Sequence, residues 1–110
     1  MKPDPSKPDP LKPEILERLG RHEIRVMAQG EHFCVFVRDN CLAMVPCEEG
    51  MFLDQGSTGL SMDCGLGYLV VREGQPLLVG NTFEIPAEPD QVARIQQFSA
   101  DVKVALGFAG

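Results

Sequence analysis

Four cysteines and two histidines carry the richest chemistry available to this chain: Cys34, Cys41, Cys47 and Cys64, with His22 and His32. No two cysteines stand in a C-x-x-C knuckle, the spacing most structural zinc sites use. A different grouping follows from strand alternation. If tight turns follow Gln29 and Arg38, then His32, Cys34 and Cys47 share one sheet face, with His32 opposite Cys47 and Cβ atoms ~4.5–5.5 Å apart. Three such ligands could hold a soft metal ion or form a reactive thiol group. A fourth ligand would have to come from Cys64, His22 or a carboxylate. Cysteine also behaves as a small apolar residue, so packing beneath another layer is the competing reading. Arg38 next to Cys41 could lower that thiol's pKa, although Glu23 opposite Arg38 predicts a cross-strand ion pair instead.

The other motifs are weaker. Gly56-Ser57-Thr58-Gly59 lacks the lysine of a phosphate loop and does not lead from a strand into a helix. Cys64-Gly65-Leu66-Gly67 fails as a dinucleotide fingerprint on the same ground, and both read as turn chemistry. Asp54 and Asp63 flank this stretch without a positioning partner, so no catalytic residue is assigned and no cofactor is implied.

The elements that must position these residues begin after residues 1–10, MKPDPSKPDP, where proline alternating with lysine and aspartate predicts a flexible, extended tail. Residues 11–110 read as a single α+β domain. Pro13 starts a short helix with an Ile15, Leu16 and Leu19 stripe, and Gly20 is expected to cap it in the left-handed conformation. Three strands then follow, Glu23–Gln29, His32–Arg38 and Cys41–Cys47, turned by Gly30-Glu31 and Asp39-Asn40. This register places Ile24, Val26, Ala28, Phe33, Val35, Val37, Leu42 and Met44 on one uncharged face, read as the core. The opposite face collects an apolar strip of Met27, Phe36, Ala43 and Val45, rimmed by Glu23, Arg25, Gln29 and Arg38. An apolar centre with a charged rim predicts an interaction patch.

Glycine-punctuated residues 48–67 read either as two brief edge strands or as a long ordered loop. Leu66–Arg72 and Pro76–Gly80 form a hairpin around Glu73-Gly74. From Pro89 onward, Val92, Ile95, Phe98, Val102 and Leu106 recur at helical spacing until Gly107, with Arg94, Gln97, Asp101 and Lys103 on the other side. The expected architecture is an antiparallel meander sheet of five to seven strands, a short leading helix and a long final helix packed on one face.

Charge and length bound the function. The 110 residues suit one small domain, and a net charge of −6 lacks the basic surface that nucleic acid requires. Between Met44 and Asp90, eight acids face Arg72 alone, which would also repel anionic lipid. No run approaches the ~20 apolar residues of a membrane span, and the Pro-rich start lacks a signal peptide's apolar stretch. A cytoplasmic location with reduced thiols is the expectation. The leading functional reading is a non-catalytic protein-interaction or regulatory module acting as a homodimer through Met27, Phe36, Arg38, Ala43 and Val45. Its alternative is a thiol- or metal-binding protein centred on His32, Cys34 and Cys47. A third class is a small-molecule pocket between the final helix and the Gly-rich segment.

Overall fold

The computed structural model describes residues 9–108. Helix α1 (Pro13–Arg21) precedes strands β1 (Arg25–Gln29), β2 (Phe33–Arg38), β3 (Cys41–Glu48), β4 (Met51–Phe52), β5 (Ser57–Met62), β6 (Gly65–Arg72), β7 (Gln75–Val79) and β8 (Glu84–Pro86), and helix α2 (Pro89–Leu106) ends the fold. All neighbouring strands are antiparallel, in the order β1-β2-β3-β5-β6-β7-β8, with β4 paired to β3 alone. The chain is thus α+β, a meander broken once by β4. Residues 1–8 of the expected tail lie outside the described residues. Of its last two, Pro10 is buried rather than free, and the Asp9 carboxylate accepts hydrogen bonds from the Gln29 amide at 3.1 Å and the Leu11 N–H at 2.9 Å.

Three hairpins are set by left-handed residue pairs, Asp39-Asn40 with φ 49° and 68°, Glu49-Gly50 with φ 53° and 79°, and Glu73-Gly74 with φ 52° and 76°. Two adjacent positive φ values match the right-handed strand twist, which is why Asn and Gly stand there. The first hairpin departs from expectation. Gly30 pairs with Phe33 through its N–H, so the turn is Glu31-His32, one residue later than Gly30-Glu31. Further back, the register shifts between Val26 and Ala28, leaving Met27 as a bulge. The β2–β3 pairing runs as the sequence predicts, Cys34 with Val45, Phe36 with Ala43 and Arg38 with Cys41.

The face assignment, however, is inverted on β2 and β3, whereas Ile24 is buried and Val26 packs against the core as expected. Cys34, Phe36, Cys41, Ala43, Val45 and Cys47 are buried in the main core with Leu19, Ile24, Leu60, Leu78 and the α2 residues Ile95, Phe98, Val102, Ala105 and Leu106. Val35, Val37, Leu42 and Met44, expected inside, point the other way and lie outside that core; Val35 is nonetheless buried, and the other three are half-buried. The physical reason lies in side-chain size and in where the charges sit. Cys34, Cys41, Ala43 and Cys47 are small, so α2 can approach the sheet closely enough to bury Phe98 completely. Of the polar residues expected on that face, His32 falls in the turn outside β2, and Arg38, at the strand end, is accommodated by ion-pairing with Asp101 of α2.

Helix α1 packs against α2, and α2 lies over β3 and β5. The α2 stripe follows the predicted spacing, and Gly107 caps it with φ 90°. In α1, Gly20 is an interior helical residue; the left-handed position falls instead on Glu23, φ 59°. Segment 48–67 forms two strands, but β5 sits inside the sheet between β3 and β6 rather than at an edge.

Candidate functional site

The thiols occupy the inner face. Cys34 and Cys47 come from adjacent strands, diagonal to one another in register, with the Cys34 thiol directed towards Cys47 as donor. Burial pushes the Cys34 thiol up to about 12, helped by the neighbouring Cys47 and by the Asp9 carboxylate. Cys47 is raised as well, chiefly by burial, although the Cys34 hydrogen bond opposes this. Both are therefore protonated, weakly nucleophilic core residues at neutral pH.

His32 does not join them. It stands in the β1–β2 turn with its side chain 85% exposed, 3.9 Å from Glu31. The expected His32, Cys34 and Cys47 grouping is thus not assembled, because the turn falls one residue late and lifts His32 out of the strand. Among the described residues no three His, Cys, Asp or Glu side chains come together as a metal site.

Arg38 has a different partner from Glu23. Its guanidinium lies 2.9 Å from the Asp101 carboxylate, donates to the His22 carbonyl at 2.9 Å and sits 5.4 Å over the Phe98 ring. His22 Nδ1 is 3.9 Å from the same carboxylate. Arg38 therefore ties β2 to both helices. Cys41, beside it in register, donates its thiol to the Arg94 carbonyl at 3.9 Å; burial raises this pKa against the opposing pull of Arg94 and Arg38. No activated thiolate results.

The expected interaction strip is likewise corrected. Phe36, Ala43 and Val45 lie beneath α2, and Phe36 packs against Phe52 with ring centroids 5.8 Å apart. Of the strip only Met27, the bulge residue, is at the surface, 65% exposed. A second apolar face lies on the reverse side of the sheet. Register places Phe33, Val35, Val37, Leu42, Met44, Tyr68, Val70, Leu77 and Val79 on the outer face, with Gly59 among them. None belongs to the core under the helices; Phe33 is exposed, Val35 and Gly59 are buried within the sheet and the rest are half-buried. Charges stand only at the margins, Arg25 on β1, Glu48 and Arg72 at strand ends, and Glu84 on β8, where Arg72 pairs with Glu84. Sequence reading missed this face because both sides of the sheet are apolar; the signal that could have found it is the concentration of cysteine and alanine on the other.

A second feature lies between α2 and the β4–β5 connection. Residues 53–56 leave the β3 edge and return at Ser57, with Gly56 at φ 148° passing so near Met44 that a Cβ would lie 2.4 Å from its carbonyl oxygen. The detour opens a cleft of about 220 Å³ lined by both elements.

No family model, curated protein or solved structure matches this chain, so its function must be read from its own residues.

Proposed function

We propose that this chain is a non-catalytic protein-interaction module that acts as a homodimer, with the outer sheet face as its contact surface. The observation that carries the reading is the contiguous, half-buried apolar face from Phe33 to Val79, separate from the core under the helices. Contiguous apolar surface of this kind marks a binding site.

Edge-to-edge pairing is the alternative route for a sheet, and the edges here oppose it. Strand β1 carries the Met27 bulge, β4 has two residues, and β8 has three, with Glu84 and Pro86 among them. Bulges, short strands, charges and proline are the devices that block strand addition. Stacking of faces remains. Seven strands at ~4.8 Å spacing and roughly 20 Å length give a face of about 600 Å², and two copies would bury about 1,200 Å², enough for a specific interface. A second copy suits this face because a chain of net charge −6 repels itself elsewhere, while the centre of the face is uncharged.

Sedimentation equilibrium tests this directly. Wild-type protein is expected at twice its 12.1 kDa chain mass. Val37→Lys and Leu42→Lys are each expected to weaken association at least ~100-fold, since an unpaired charge would be buried between the sheets. Val71→Lys, at an exposed position on the opposite face, should leave it unchanged. A wild type of single-chain mass at all concentrations, or lysine variants that stay dimeric, would overturn the proposal.

A further inference from the structure

The cleft between α2 and the β4–β5 connection has a graded lining. Its floor is apolar, formed by Ala43 and Val45 of β3 and by Val102 and Leu106 of α2, all buried core residues. Thr58, paired with Ala43 and therefore on the inner face, and Ser99 of α2 bring half-buried hydroxyls to its wall. At the mouth stand one anion and one cation, Asp54 and Lys103, with Oδ1 and Nζ 3.8 Å apart and both side chains more than half exposed. A contact of that length between exposed groups is weak and is easily opened by a competing ligand.

Size and charge together narrow the ligand. At about 220 Å³ the cleft falls below the ~300–1,000 Å³ of drug-sized pockets, so only a small molecule fits. An apolar floor calls for an apolar body. One positive and one negative group, close together at the entrance, complement a ligand bearing both signs on one carbon. From this arrangement we infer that the cleft binds a free α-amino acid with a short, branched apolar side chain. Its carboxylate meets Lys103 and the Thr58 and Ser99 hydroxyls, its ammonium meets Asp54, and its side chain lies on Val45 and Val102. The detour at residues 53–56 is what makes room for it, since an unbroken ladder along β3 would place backbone there.

Amide chemical shifts of the full chain, titrated with L-leucine, L-valine, isovalerate and isoamylamine, test this. Leucine or valine is expected to shift Thr58, Ser99 and Lys103 at millimolar concentration. Isovalerate lacks the ammonium and isoamylamine lacks the carboxylate, so each should bind at least ~10-fold more weakly, the loss of one charge-assisted contact. Lys103→Met and Asp54→Asn should each weaken leucine binding by a similar factor, and both positions are exposed enough for the fold to tolerate the change. The inference is overturned if neither amino acid shifts these residues, if isovalerate or isoamylamine binds as well as leucine, or if both variants bind leucine as the wild type does.

Discussion

At Gly59 a methyl group would lie 2.1 Å from the Gly67 carbonyl oxygen, because β5 and β6 approach closely there. Gly59→Ala is therefore expected to cost ~1–3 kcal/mol or more, read from the urea midpoint. Gly20→Ala should do the reverse. Nothing lies within 4 Å of its added Cβ, and its position is inside α1, so alanine should gain roughly 0.5–1 kcal/mol by helix propensity. A left-handed cap at Gly20, the reading its sequence position suggests, would have made that change harmful. Propensity alone could not choose, since the helix runs through Gly20 to Arg21 and the left-handed residue comes only at Glu23. The cysteines give a pH prediction. An unfolded chain loses the Cys34 proton near the ordinary 9.0, whereas the folded chain holds it to about 12. The folded state thus binds more protons between those values, so its stabilisation is complete below pH 9 and drains away as pH rises towards 12. Urea midpoints should fall across that window, less steeply in Cys34→Ala. Cys64, the exposed thiol, should be alkylated by iodoacetamide well before the three buried ones.

Among the elements, α2 was the most legible. Its apolar spacing, its opening proline and its closing glycine act at short range and agree with one another, and the buried face contains the expected Ile95, Phe98, Val102 and Leu106. Phe98→Ala should cost ~3–5 kcal/mol in chemical denaturation, because the side chain is wholly enclosed and holds the Arg38 guanidinium above its ring. The turns at Asp39-Asn40 and Glu73-Gly74 were equally readable, as each is a local conformational requirement. The Met27 bulge was not. Nothing local marks it, and an added residue in an edge strand shows only against its partner. Likewise the partner of Arg38 could not be read as Asp101, because that contact depends on which face α2 covers.

At the scale of the molecule, that choice of face decided most of the functional reading. Alternation along β2 and β3 sorted the side chains into two groups correctly, and the β2–β3 register held residue by residue. What alternation could not supply was which group a helix would cover when both are apolar. Charge counting favoured the wrong one, since it weighed His32 and Arg38 equally with the centre of the strand. The two-layer arrangement has a spatial consequence. If two chains meet back to back through their bare strands, the product is a four-layer helix–sheet–sheet–helix stack with every helix outermost. The crevice beside Lys103 would then open outward on each copy, in opposite directions and away from the seam, so occupancy at one end should be insensitive to whether the other half is present.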